Sequence, residues 1–221
     1  MGCACLSSFC WARAGVGVSV SKGLRGTLIG VGVSLAFLLV VYRLFAGSYN
    51  RMISLDEAVK SAWSQVEAVL QRRLDLIPNL VSTVKGYAEH ESDTLKRVAE
   101  ARSRAGGVMQ VGESALSDPE KFARFQRVQA EIGGALGRLL LVSEQYPALR
   151  ANESFLALQS QLEGTENRIS VERTRYNRAV QEYNAYIRSF PRSAVARWGN
   201  FSSRPYFTAH EGAVAAPRVR F

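Results

Sequence analysis

Histidine and cysteine are nearly missing from this 221-residue chain, and their scarcity removes most enzyme chemistry before any pattern is read. The histidines are His90 and His210, and Cys3, Cys5 and Cys10 all fall in the first ten residues. No Cys/His metal cage can be assembled from these, and no disulfide framework is implied. His90 lies between Glu89 and Glu91, but successive residues on a helix point to different faces, so the trio reads as solvated surface. The phosphate loop GxxxxGK(S/T), the nucleophile elbow GxSxG and the zinc pair HExxH are absent. Without a nucleophile beside a base, a hydrolase is disfavoured. The expectation is a non-enzyme with no cofactor and no small-molecule substrate.

Acidic residues are absent from the first 50 positions, which carry Arg13, Lys22, Arg25 and Arg43, and scarce in the last 31, where five arginines face Glu211. The formal charge of +9 is therefore concentrated at the ends, and the stretch between holds 19 basic against 18 acidic residues. A nucleic-acid face needs Lys/Arg clustered on the folded module itself, so that partner is excluded. The tail arginines Arg192, Arg197, Arg204, Arg218 and Arg220 alternate with aromatics, a pattern that fits anionic lipid or an acidic partner once the chain is tethered to a membrane.

The tether is the uncharged, mostly apolar run from Gly26 to Tyr42, resumed after Arg43 by Leu44 to Gly47. About twenty helical residues span a bilayer, and Arg43 can snorkel to the headgroups. We read 26–47 as a transmembrane helix; a cleaved signal peptide fits less well, because Phe45-Ala46-Gly47 is a poor cleavage site. The balance of basic residues leans toward the N-terminus in the cytoplasm. Residues 1–25 read as a disordered extension. Gly2, Cys3 and Cys5 resemble a dual-acylation signal, but Leu6 stands where myristoylation wants Ser or Thr.

Beyond the span, apolar residues recur at alternating spacings of three and four, the mark of one helical face. The first stripe runs Leu55, Val59, Ala62, Val66, Val69, Arg73, Leu76, Leu80, Val84 and Tyr87, and fades near Arg104-Ala105-Gly106-Gly107. Pro78 falls inside it with the phase unbroken, which predicts a kink or a tight restart capped by Asp75 rather than a reversal. A loop over 106–116 precedes Asp118-Pro119, a helix start, and the next stripe runs Phe122, Phe125, Val128, Ile132, Leu136, Leu139 and Tyr146. Gly133, Gly134 and Gly137 inside it predict close approach of a neighbouring backbone. Asn152 caps a last long helix with the stripe Phe155, Leu158, Leu162, Glu166, Ile169, Arg173, Tyr176, Val180, Tyr183, Ile187 and Phe190. Residues 191–221 keep Trp198, Phe201, Tyr206, Phe207 and Phe221, too many aromatics for a solvated tail, and should lie extended along the helices.

Charged residues on these stripes are the candidate site. Arg73, Glu166 and Arg173 should face one interior, with at least one arginine within hydrogen-bonding reach of Glu166, because an unpaired buried charge costs several kcal/mol. Arg72, Asp75, Asn79, Asn177 and Asn184 lie within a turn or two and could complete a polar network. Such a network either fixes helix register or lines a groove that binds a partner.

Linked motifs carry a resemblance to a known family. They are Gly47-Ser48-Tyr49-Asn50, Leu70 through Val81, Val84 through Glu91, Glu144-Gln145-Tyr146-Pro147, Ala151 through Phe155, Gly164 through Ile169, Arg173 through Asn177, Tyr183-Asn184, Phe190-Pro191 and the closing Pro217 through Phe221. Together they are similar to the LemA family over about residues 47–221. The resemblance implies an all-α, single-pass protein of the bacterial inner membrane: a transmembrane helix, an antiparallel, bromodomain-like up-and-down four-helix bundle over 51–190 with coiled-coil-like packing, and the tail. The cysteine-bearing N-terminus departs from the family's usual short basic tail. No enzymatic activity is established for the family. The resulting expectation is a membrane-anchored adaptor for another envelope protein, the alternative being a membrane-shaping or anionic-lipid-binding protein.

Overall fold

The computed structural model describes residues 22–88, 90–109 and 112–208, except the side chains of 22–26, 28, 29 and 113. The cysteines, His210, Arg218 and Arg220 lie outside these residues. Every regular element described is helical: α1 (Lys22–Lys85), α2 (Ser92–Met109), a 3-10 turn (Gly112–Ser117), α3 (Pro119–Ser143), α4 (Pro147–Arg150), α5 (Glu153–Arg188) and α6 (Arg192–Trp198). The chain divides into two compact units, 1–44 and 45–221.

In the first unit, helix starts at Lys22, within the segment expected to be disordered. Ten large apolar side chains between Val31 and Leu44 are 45–67% exposed, on all sides of the helix. Water does not tolerate so continuous an apolar surface, whereas hydrocarbon does. Among the described residues this is the one helix long and apolar enough to cross a membrane.

The second unit has a core in two clusters. Met52 through Leu70 of α1 meet Phe122 and Phe125 of α3, and Ile169 through Ile187 of α5, in the first. Leu74 through Val84 of α1 meet Leu95 through Ala105 of α2, Val128 through Leu139 of α3, and Phe155 and Leu162 of α5 in the second. Helices α1 and α3 thus pass from the first cluster to the second and α5 returns, while Val108 and Met109 at the end of α2 touch both. Helix starts follow the expected chemistry. Asp118 accepts from the N–H groups of Glu120 and Lys121 with Pro119 behind it, and Asn152 accepts from Phe155 N–H.

Pro78 lies inside α1 without ending it. Proline has no N–H for the carbonyl four residues back, which is that of Leu74. Arg102 Nε of α2 donates to that carbonyl at 3.1 Å, so the gap is filled by a side chain from the neighbouring helix.

Four local expectations are corrected. The first helix ends at Lys85 and not near 104–107; the chain turns over Gly86 and Tyr87, and α2 continues through Gly106 and Gly107 to Met109. The turn hid in the sequence because both helices point apolar residues at the same core. Gly133, Gly134 and Gly137 face no close backbone, since a Cβ at any of them would meet nothing within 4 Å. Gly133→Ala and Gly137→Ala are therefore expected to stabilise the fold by about 0.5–1 kcal/mol each in thermal denaturation. A loss of stability would show that these positions need glycine after all. Phe190, the last stripe position, is 90% exposed because α5 has ended at Arg188.

The fourth correction concerns the tail, which is helical over Arg192–Trp198 before it extends. Helix α6 ends in a tight reversal: Phe201 N–H reaches Ala196 O at 2.9 Å and Asn200 N–H reaches Arg197 O at 3.3 Å. Asn200 takes φ 56°, a left-handed conformation that asparagine tolerates. Gly199 is needed here, because a Cβ would come within 2.6 Å of the Phe201 ring.

Candidate functional site

Residues 202–208 lie along α5 as an extended strap, held by a repeat in the helix. Asn184 donates Nδ2–H to Arg204 O and accepts Arg204 N–H through Oδ1, both at 2.9 Å. Asn177 treats Phe207 identically, again at 2.9 Å each way. The tyrosine before each asparagine also joins in: Tyr183 OH donates to Ser202 O at 3.0 Å and Tyr176 OH to Pro205 O at 3.1 Å. An amide that pairs with both the N–H and C=O of one residue imitates a strand partner, so the strap's backbone is satisfied without a sheet. Burial pushes both tyrosine hydroxyls above their ordinary pKa. For Tyr183 the Asp56 carboxylate adds to this and Arg204 opposes it.

Arg204 also anchors the strap to α1. Its Nε and Nη2 donate to Asp56 Oδ1 at 3.1 and 2.7 Å, and the two side chains are only 15% and 14% exposed. Phe207 closes the strap over an aromatic cluster, within 5.2 Å of Tyr176 and 4.9 Å of Phe122 between ring centres.

Beside Phe207 a cavity of about 270 Å³ opens between α1, α3 and α5. Arg73 reaches it from α1 and is 4% exposed. Its Nη1 donates to Glu166 Oε2 at 3.1 Å, and its Nη2 to the Gln129 side-chain oxygen of α3. Glu166 was expected inside; its side chain is 63% exposed, because the buried place on that turn of α5 goes to Thr165. Arg173 is half-buried, with its guanidinium 4.6 Å from the Phe207 ring centre and Nη2 donating to Thr208 O at 3.4 Å. Burial lowers the Arg73 pKa, Glu166 opposes the shift and Arg173 reinforces it.

The structure therefore brings Arg73, Glu166 and Arg173 around one cavity and sets Asn177 of α5 against the strap residue Phe207 beside it. Arg72, Asp75 and Asn79 lie apart from this group on the exposed side of α1. There Asp75 accepts from Gln71 at 2.7 Å, and the Asn79 carbonyl accepts from Ser82 and Thr83. Sequence reasoning missed Gln129, Asp56 and the reach of Arg204. For the strap the signal was available: Tyr-Asn at 176–177 recurs seven residues later at 183–184.

An all-helical unit with a polar cavity and a side-chain-docked strap, preceded by an apolar helix, defines a structural class without naming a reaction. Residues 62–221 match the model of the LemA family, and the chain belongs to that family. Magnetosome protein MamQ 2 of Paramagnetospirillum magneticum is 29% identical over 175 residues, covering 72% of this chain and 64% of that protein. Magnetosome protein MamQ of Magnetospirillum gryphiswaldense is 26% identical over 178 residues with the same coverage. Protein LemA of Metamycoplasma hominis is 23% identical over 172 residues, covering 78% of this chain and 74% of the relative. The chain spans somewhat less than two thirds of the length of the magnetosome relatives.

Proposed function

We propose that this protein is a non-catalytic, membrane-anchored helical adaptor of the bacterial envelope. The observation that carries the reading is the exposed apolar surface from Val31 to Leu44 on a chain whose second unit is densely packed. In this reading the chain is single-pass in the inner membrane with its N-terminus in the cytoplasm. Residues 51–190 form the antiparallel four-helix bundle, supported by the alternating passage of α1, α2, α3 and α5 between the two core clusters. Residues 191–221 are its tail. The partner is another envelope protein, held on the bundle surface around Arg73, Glu166 and Arg173.

After alkaline carbonate extraction the full-length chain is expected in the membrane pellet, and release into the supernatant would remove the anchor. Crosslinking in native membranes followed by mass spectrometry should then yield a defined envelope protein.

One observation favours a second reading, that of a membrane-shaping or anionic-lipid-binding protein. Phe190 and Trp198 are 90% and 73% exposed, close in sequence to Arg188, Arg192 and Arg197. Exposed aromatics among arginines suit a headgroup layer. Salt-sensitive binding of the chain to vesicles containing anionic lipid, with no protein crosslinked, favours this reading over the adaptor.

A further inference from the structure

The cavity beside Phe207 has an imbalance of charge and of hydrogen bonds. Arg73 and Arg173 line it, and among the described residues its only acid is Glu166. The guanidinium of Arg73 is almost wholly removed from water, and an arginine cannot escape that cost by losing its proton. Yet Glu166 touches it through a single oxygen at 3.1 Å while most of its own side chain stays in water. Arg73 Nε and Gln129 Nε2 are both buried with no hydrogen-bond partner. Each such orphan donor costs about 1–3 kcal/mol.

The walls limit what could restore the balance. Leu70, Phe125, Ile169 and Phe207 give the cavity an apolar lining beside the arginines. A fully polar anion such as phosphate would leave oxygens unsatisfied against that side. A monocarboxylate bearing a few carbons suits both surfaces: its planar oxygens match the guanidinium fork, its one charge takes the place of the Glu166 carboxylate beside Arg73, and its chain meets the apolar wall. Gly133 and Gly134 belong to the lining, and a Cβ at either would meet nothing within 4 Å.

We propose that this cavity binds an apolar monocarboxylate at Arg73, and that Glu166 is an internal stand-in which the ligand displaces into water. The carboxylate comes either from a free short-chain acid or from the C-terminus of a partner polypeptide; the chemistry at Arg73 is the same. The cavity inference goes beyond the adaptor reading and stands without it, since carbonate extraction does not depend on the cavity.

The test uses the full-length chain in non-ionic detergent, titrated with butyrate as the free acid and N-acetyl-leucinate as the chain terminus. Sodium chloride and phosphate at matched ionic strength serve as controls, and the readouts are melting temperature and the ¹³C shift of labelled carboxylate. At least one of the two carboxylates should raise the melting temperature saturably, and the controls should not. Tighter binding of butyrate assigns a free acid; tighter binding of N-acetyl-leucinate assigns a chain terminus.

Glu166→Gln should tighten the carboxylate about tenfold, the factor expected if the internal acid holds Arg73 nine-tenths of the time. Gly134→Leu adds a side chain to the cavity lining where a Cβ has open space, and should abolish the response while the protein stays folded. Arg173→Gln, half-buried and less apt to unfold the protein than a change at Arg73, should weaken binding. No response to either carboxylate in the wild type overturns the proposal. A response confined to Glu166→Gln also overturns it, because Glu166 is then the permanent occupant. Unchanged binding in Gly134→Leu places the carboxylate elsewhere and has the same effect.

Discussion

Replacing Trp63 by alanine is expected to lower the unfolding free energy by about 3–5 kcal/mol, the range for emptying a buried large aromatic site. Trp63 is 2% exposed and touches aromatic rings from three other parts of the chain. Its ring centre lies 5.0 Å from Phe125 of α3, 5.6 Å from Tyr176 of α5 and 6.1 Å from Phe207 of the strap. The loss would be a large share of the roughly 5–15 kcal/mol that holds a domain folded. Trp63→Phe should behave differently. The indole N–H is buried without a partner, so its removal relieves about 1–3 kcal/mol and offsets much of the lost packing. Denaturant unfolding of the full-length chain should place the phenylalanine variant within about 1.5 kcal/mol of the parent. Equal losses for both variants would show that the N–H is satisfied.

Asp56→Ala is expected to cost about 3 kcal/mol, because it leaves the Arg204 guanidinium shielded from water without its anion. The matching control is the Arg104–Glu131 pair, whose side chains are 55% and 50% exposed; breaking it should cost about 0–1 kcal/mol. A double replacement, Asp56→Leu with Arg204→Met, removes both charges and should recover most of the loss. Hydrogen exchange gives an independent reading: the Phe207 amide, bonded to Asn177, should lose protection in Asp56→Ala if Arg204 clamps the strap. Unchanged protection would mean that the asparagines hold the strap unaided.

Much of the helical plan was legible because burial is periodic. Leu55, Val59, Val66, Leu80 and Val84 of the first stripe are all buried, as are Phe122 through Leu139 of the second. A stripe drawn one residue wide still misses the breadth of a core-facing surface, which covers more than about 100° of a helix. Trp63, Leu70, Leu74 and Ile77 lie at the stripe's edge and are as deeply buried as its members. Glu166 errs in the opposite direction. A seven-residue repeat drifts about 20° per heptad on a straight helix, enough over α5 to move an edge position into water. The Arg73–Glu166 contact could be expected from charge, whereas Gln129 could not: a glutamine carries no sign that names its partner. Asp56 and Arg204 are 148 positions apart, and neither lies on a stripe, so periodicity had no hold on their pairing.

The strap's attachment works as a measure of length. Asn177 and Asn184 are seven helical residues apart, a rise of about 10.5 Å, and Phe207 and Arg204 are three extended residues apart, about 10 Å. The tyrosines keep the same ratio, since Tyr176 and Tyr183 meet Pro205 and Ser202. Two lattices of different pitch thus coincide at two successive marks. What is read at each mark is backbone, so the side chain of Tyr206 can change without loss of alignment. One residue added or removed between Arg204 and Phe207 cannot be absorbed, because it shifts one mark by about 3.3 Å and leaves one asparagine with neither of its bonds. The segment is therefore indifferent to spelling and strict about count.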